Sequence, residues 1–99
     1  MFLHLGKNLV VPIKDLIAII DADSVLKSED TKNFLKVAEE EGFIYDVAED
    51  NIKSYIITEK LEKSKENSSN VRKSIIYSSN ISSKTLLKRA GFIDNIEEF

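Results

Sequence analysis

Few side chains in this 99-residue sequence have a type and spacing suited to catalysis. The single histidine, His4, lies between Leu3 and Leu5, and no residue near it in sequence would make it a general base. Ser78 and Ser79 precede a predicted helix, where serine is expected as part of a cap, and no histidine is near them. We therefore expect no catalytic residues, and the protein is not expected to be an enzyme.

Metal and cofactor binding find equally little support in the sequence. The chain has no cysteine, which excludes disulfide bonds and thiolate metal sites. Asp21 and Asp23 could ligate a hard cation, but two carboxylates without further oxygen ligands make a weak site, and a turn at the end of a strand is the default interpretation. The three glycines are too far apart to form a phosphate-binding loop. The expectation is no metal and no cofactor.

The remaining chemistry is that of basic side chains toward phosphate. A net charge of −3 conceals a segregation, because residues 21–50 have ten acidic and three basic residues, whereas residues 51–92 have nine basic and three acidic ones. Phosphates are bound by Lys and Arg gathered on one surface. The alternative interpretation is that these charges are merely solvated. The candidate DNA-binding residues are Lys14, Lys53, Lys84, Lys88 and Arg89.

Length and composition indicate one ordinary domain over residues 1–99, with 42% hydrophobic and 31% charged residues. No apolar run approaches the ~20 residues that span a bilayer, and the N-terminus lacks the pattern of a signal peptide. We therefore expect a cytoplasmic protein with no membrane contact. A core this small would gain stability from self-association.

Local patterns predict a small α+β fold. The segments FLHL and LVV flank the residues GKN and predict a β-hairpin with Gly6 in the turn. The Ile-rich segment DLIAII predicts a strand buried on both faces, and further strands are predicted at FIYDV, KSYIIT and SIIYS. The predicted fold class is a small antiparallel β-sheet packed with two short helices.

The first predicted helix lies between Ser28, a candidate N-cap, and Gly42, a candidate C′ residue. The acidic run Glu39–Glu41 lies at the negative end of the helix dipole. It is either solvated or faces a cation of another subunit. The predicted buried stripe of this helix is Phe34, Leu35 and Ala38.

The second predicted helix, near the C-terminus, has signals at both ends. Ser82 is a candidate N-cap, and Gly91 followed by Phe92 predicts a Schellman ending. Leu86 and Leu87 are predicted to face inward together with Ala90. The outward half then carries the cations Lys84, Lys88 and Arg89.

The stretch EKLEKSKENSSNVRK, residues 59–73, is polar and has no apolar period. It cannot bury itself in a core. We predict that it is a long flexible hairpin loop joining two antiparallel strands.

Four segments, in their order along the chain, carry a resemblance to a known family: MFLHLGKNLVVPIKDLIAIID, the helix ending AEEEG, KSYIIT, and SIIYSSNISSKTLLKRAGF. Together they resemble the bacterial extracellular-matrix regulators RemA and RemB. The HLG opening and the closing SS-plus-helix segment look closest to the RemB branch, and the likeness covers most of the chain outside residues 59–73. The resemblance implies a small α+β protein that assembles into rings, binds DNA through repeated basic residues and activates biofilm-matrix genes.

The resemblance also implies roles for particular residues. The family's basic position after the second strand falls on Lys14, and the one just before the inner II strand falls on Lys53. The RemA-like branch has consecutive arginines just upstream of the latter, where this chain has Asp50 and Asn51. Two implied phosphate contacts are therefore missing. The stretch 59–73 either replaces them or is only a spacer; its cations are Lys60, Lys63, Lys65, Arg72 and Lys73.

Two functions follow as hypotheses. The first is a DNA-binding transcriptional regulator of extracellular-matrix (biofilm) genes, which acts as a ring-like homo-oligomer. The second is an oligomeric protein-interaction module of the same fold that lacks DNA binding and binds another protein, such as a RemA-like paralogue.

Overall fold

The computed structural model of the protein describes residues 1–63 and 70–92. Within those residues it contains two small β-sheets and three α-helices, and a 3-10 turn, Ile13–Asp15, links the second and third strands. The strands are β1 (Phe2–Gly6), β2 (Leu9–Pro12), β3 (Leu16–Asp21), β4 (Ile44–Asp46), β5 (Ser54–Lys63) and β6 (Asn70–Ser79). The helices are α1 (Ala22–Val25), α2 (Glu29–Glu40) and α3 (Ser83–Arg89).

The sheet topology confirms the predicted α+β class. Strands β1 and β2 form an antiparallel hairpin, and the second sheet has the strand order β3-β5-β6-β4. This sheet is mixed, because β4 pairs parallel with β6, whereas β3–β5 and β5–β6 are antiparallel. The pairings make β3 and β4 run in the same direction at opposite edges. Helices α1 and α2 supply the crossover that two strands of equal direction require.

The four-stranded sheet has a hydrophobic cluster on each face. The hairpin and α3 cover one face, where Leu3, Leu5 and Leu86 pack with Ile56 of β5. Helix α2 covers the other face, and its buried residues pack on Ile76 of β6. Strand side chains alternate between the faces, so one short strand contributes to both clusters.

The predicted hairpin is confirmed, but its turn residues differ from the prediction. Lys7 (φ 48°) and Asn8 (φ 65°) both have the left-handed conformation that a two-residue type I′ turn requires. Gly6 (φ 115°) precedes them, next to an irregularity in the register of β1. Asn tolerates this conformation well, and the right-handed twist of the strands selects the turn.

Strand β3 is not buried on both faces, so that prediction is wrong. Ile17 is 61% exposed. It lies where the register between β3 and β5 shifts, between Leu16 and Ala18. The cause is the sheet order, since β3 is an edge strand with a partner on one side only.

Helix α2 begins as predicted, because the Ser28 hydroxyl accepts a hydrogen bond from a first-turn N–H at 3.3 Å. It also ends as predicted, since Gly42 (φ 79°) follows it in the left-handed conformation. Leu35 and Ala38 are buried. Phe34 is 49% exposed and lies at the margin of the contact, so its predicted burial is wrong.

Helix α3 also has the predicted ends. The Ser82 hydroxyl accepts a hydrogen bond from the Thr85 N–H at 3.2 Å. The Phe92 N–H donates to the Leu87 carbonyl at 3.0 Å, which completes the Schellman ending. Leu86 is fully buried, whereas Leu87 is only half-buried.

Residues 59–73 contain more regular structure than predicted. The antiparallel connection between β5 and β6 is confirmed, but pairing continues from Glu59 opposite Ser74 out to Lys63 opposite Asn70. We call these paired residues, 59–63 and 70–74, the arm. A two-stranded ribbon with two solvated faces needs no apolar period, which is why the hydrophobic pattern missed it. The rest of the predicted flexible loop, residues 64–69, lies outside the described residues.

Candidate nucleic-acid interface

The two cations that the family resemblance singles out lie at opposite ends of the sheet. Lys14 is exposed in the 3-10 turn just before Leu16, at one end of β3. Lys53 is exposed beside the other end, where its carbonyl accepts the Ala22 N–H at 2.9 Å. The five residue-to-residue steps along β3, at about 3.3 Å each, put roughly 17 Å between the two positions. One protomer therefore does not bring Lys14 and Lys53 into a single patch.

Lys53 lies instead at the end of the sheet where α3 begins. Its N–H donates to the Ser79 carbonyl at 2.8 Å. The hydroxyl of the next residue, Ser54, donates to the Ile81 carbonyl at 2.8 Å, just before the helix. The exposed Lys84 occupies the first turn of that helix. The structure thus places Lys53 and Lys84 at the same end of the molecule.

The other two helix cations, Lys88 and Arg89, are exposed in the last turn of α3. The Arg89 guanidinium donates to the His4 carbonyl at 3.4 Å, which links the helix to β1. Cations in this turn also interact favourably with the negative end of the helix dipole. His4 itself is exposed, and its neighbours in β1 are buried on the opposite side, as their alternation predicts.

A further group of cations gathers around Lys14, and sequence reasoning did not assemble it. Lys14 and Lys60 line one cleft of about 290 Å³ beside the base of the arm. Lys60 is the direct cross-strand partner of Lys73, so these two side chains stand on the same face of the ribbon. The sequence shows only that both lysines are among the cations of residues 59–73. Only the strand register shows that they are opposite each other.

Acidic and aromatic residues border the same region. Lys60 and Lys73 line a second cleft of about 220 Å³ together with Asp15, Glu62 and Tyr77. Burial raises the pKa of the Tyr77 phenol above its ordinary value, with smaller contributions from Tyr45 and Asp15. The phenol is therefore neutral near pH 7 and can donate a hydrogen bond.

Among the described residues, none of these cations forms an ion pair with a carboxylate. In the part of the chain that the structure describes, the ion pairs are Lys32 with Glu29 and Arg72 with Glu59, each at 3.4 Å. Every one of the predicted and newly grouped cations is exposed and outside those pairs: Lys14, Lys53, Lys60, Lys73, Lys84, Lys88 and Arg89.

The loop that carries Asp50 and Asn51 is exposed and offers no cation before Lys53. Asn51 adopts a left-handed conformation (φ 53°) in this loop. Nearby, the Asp46 carboxylate accepts a hydrogen bond from the Ser78 hydroxyl at 2.9 Å. The surface at this position is therefore acidic, in contrast to the arginines that the RemA pattern implies.

Of the two candidate metal ligands, Asp21 and Asp23, the first has other hydrogen-bond partners. Asp21 accepts hydrogen bonds from the hydroxyls of Ser24 (3.5 Å) and Ser83 (3.4 Å). Within residues 1–63 and 70–92, no group of three His, Cys, Asp or Glu side chains is placed to hold a metal ion. The strand-end interpretation of Asp21 fits these contacts.

Fold and surface together define a small α+β protein whose prominent surface features are exposed charges. A protein-family model described as RemA-like, extracellular matrix regulatory protein A-like, matches residues 2–90. The chain therefore belongs to the RemA-like family. This is a regulatory family and not an enzyme family, and the match does not distinguish its RemB-like branch. A comparison with curated proteins finds no match.

Among the residues that the structure describes, no helix combines the length and the apolarity needed to cross a bilayer.

Proposed function

We propose that this protein is a DNA-binding transcriptional regulator of extracellular-matrix genes that acts in the cytoplasm as a ring-like homo-oligomer. Membership of the RemA-like family supports the regulatory role. The observation that carries DNA binding is the exposure of the five predicted cations, which lie outside every ion pair of the described residues although the protein is acidic overall. Phosphate binding depends on local surface charge and not on the net charge.

An oligomer would repeat along the DNA the phosphate contacts that are single and weak in one protomer. Lys14 and Lys53 are too far apart to bind the same phosphate, so each would make a separate weak contact. Copies arranged side by side repeat both contacts along a duplex, and linked weak contacts give strong overall binding. Self-association is supported by β3, an edge strand with an exposed Ile17, since such an edge offers unpaired backbone groups to another chain.

The test is the salt dependence of DNA binding by the full chain. Fluorescence anisotropy with an AT-rich promoter duplex should show affinity that falls with a log-log slope of roughly −0.9 per phosphate neutralised. Lys14→Ala and Lys53→Ala should each weaken binding and make the slope shallower. Lys27 is also exposed but lies in the acidic segment, residues 21–50, so Lys27→Ala should change neither. A slope near zero, or no binding at low salt, would refute the proposal.

One observation favours a second candidate, an oligomeric protein-interaction module without DNA binding. Phe34, Val37 and Phe43 are each about half-exposed and line a largely apolar groove of about 370 Å³ between α2 and β6. Exposed apolar surface of this kind is typical of protein contacts. A purified RemA-like paralogue, if it is the partner, should bind with or without nuclease treatment and equally well to Lys14→Ala.

A further inference from the structure

The arm extends beyond the body of the four-stranded sheet. Strand β3 pairs with β5 only as far as Thr58, and β4 pairs with β6 only from Ile76 onward. From Glu59 to Lys63, the partners of β5 are residues of β6 alone. This part of the hairpin is therefore a two-stranded ribbon with no other strand beside it among the described residues.

One face of this ribbon carries two cations, Lys60 and Lys73, and a single acid, Glu62. Lys60 and Lys73 are directly opposite, and like charges in that arrangement destabilise a strand pair. Lys14 adds a third cation at the base of the arm, in the cleft that it shares with Lys60. Asp15, Glu59 and Glu62 border the clefts, yet none of them forms an ion pair with these lysines in the described structure.

The opposite face of the ribbon arranges its charges differently. There Arg72 is paired with Glu59 at 3.4 Å, so its charge is already compensated within the protein. Leu61, the cross-strand partner of Arg72, is 59% exposed. That face also carries Lys63, at the end of the described ladder, so the Lys60 face is distinguished by two cations placed directly opposite each other, with Lys14 at its base.

We propose that the face of the arm formed by Lys60 and Lys73, with Lys14 at its base, binds the phosphates of duplex DNA. This inference rests on the proposed DNA-binding function and assigns a site that the RemA pattern does not supply. It gives a role to the cations of the arm, which lie at the Lys14 end of the sheet, away from Asp50 and Asn51. Strand spacing of about 4.8 Å makes such a ribbon narrow enough for the major groove, which is about 12 Å wide.

The residue types favour phosphates of a duplex over bases of a single strand. Lysine acts as a compact point charge, whereas base readout relies mainly on the forked donors of arginine and on amide side chains. Binding of single strands typically uses aromatic side chains on which bases stack. The described arm has no aromatic residue; its apolar side chains are Leu61 and Val71. Contact with the phosphate backbone of a duplex is therefore the binding mode that fits these residues.

The deciding variant is Lys60→Gln with Lys73→Gln in the full chain. Its matched control is Lys27→Gln with Lys36→Gln, which removes the same charge from exposed positions in the acidic segment, residues 21–50. Anisotropy titrations with one duplex at several salt concentrations should show weaker binding by the arm variant. Its log-log slope should be shallower by about 1.8 for each bound arm, from about 0.9 per lost phosphate contact. The control should keep the wild-type slope.

The outcomes separate this inference from the proposed function. If the wild type does not bind duplex DNA, both fail. If the wild type binds and the arm variant keeps the wild-type slope, only the assignment of the arm is overturned. A changed particle mass with an unchanged slope would make the arm a protein interface, which also overturns the assignment.

Three further variants guard against misfolding. Removing one of two facing charges should leave the melting temperature equal or higher, since repulsion across the strands is relieved. Single changes, Lys60→Gln or Lys73→Gln, should each shift the slope by about 0.9. Lys60→Arg with Lys73→Arg keeps both charges and should retain the wild-type slope. Loss of the slope in that double arginine variant would contradict a phosphate contact.

Discussion

At the scale of single residues, serine hydroxyls hold the elements around α3 together. Ser79 is fully buried, and its hydroxyl donates to the Leu5 carbonyl of β1 at 2.8 Å and accepts the Ile81 N–H at 3.1 Å. The Ser54 hydroxyl donates to the carbonyl of the same residue, Ile81. These serines therefore join the hairpin, the sheet and the start of α3. In the described residues every buried side-chain polar atom has a hydrogen-bond partner, as a stable core requires.

Leu86 and Leu87 allow a matched prediction about the core. Leu86 is 0% exposed within the cluster under α3, whereas Leu87 is only half-buried. Leu86→Ala should lower the free energy of unfolding by about 2–5 kcal/mol, because it removes buried methyl groups and leaves a cavity. Leu87→Ala should cost clearly less, and urea denaturation measures both. Equal losses in the two variants would contradict the packing of α3 described above.

At the scale of elements, the features that depend on neighbouring residues were predictable from the sequence. Ser82 and Gly91 mark the ends of α3 because capping and left-handed C′ positions are decided within one helical turn. The exposure of Ile17 and the parallel pairing of β4 were not predictable. They depend on the order of strands in the sheet, which local pattern does not encode. The exposure of Phe34 has a similar cause, since the position of a helix over a sheet decides which apolar residues it covers.

The candidate interface likewise has features that the sequence predicts and features that it does not. The residue types and the exposure of the five predicted cations follow from their sequence context. Their distribution does not, because it depends on strand register. Register places Lys14 and Lys53 at opposite ends of β3 and sets Lys60 opposite Lys73.

The register of the arm makes a sharp prediction about shortening it. Replacing residues 62–71 with Asn-Gly joins Leu61 to Arg72, which are partners in the native ladder. Asn-Gly favours the type I′ turn that suits a two-residue hairpin. The shortened chain should keep its fold, and its melting temperature should stay close to that of the wild type. Circular dichroism across a thermal scan measures this.

The control variant deletes one residue more. Replacing residues 61–71 with the same Asn-Gly would put Lys60 opposite Arg72 instead of Lys73. A one-residue slip moves side chains to the wrong face of the sheet. This chain should therefore melt at a lower temperature than the first variant. Loss of the fold in both would show that the arm itself is needed for folding.

At the scale of the whole molecule, charge is separated by the sheet. Helix α2 lies on one face and carries exposed acidic residues at both ends, including Glu39 and Glu40. Helix α3 lies on the other face and carries the exposed cations. One copy of the protein could therefore present a basic surface to the acidic surface of the next. This arrangement gives the acidic run at the end of α2 a use beyond solubility, although it lies at the unfavourable end of the helix dipole.

Charge reversal on α3 tests both uses of its cations: Lys84→Glu, Lys88→Glu and Arg89→Glu. The protein should remain folded, because all three side chains are exposed, with only a modest penalty for acids in the last turn. Anisotropy should show weaker DNA binding with a shallower salt slope. If α3 meets α2 of a neighbour, light scattering should also show smaller particles. Adding Glu39→Lys, Glu40→Lys and Glu41→Lys should then partly restore their size, because the two surfaces would again have opposite charge. Unchanged particle size together with unchanged DNA binding would reduce these cations to solvated surface charge.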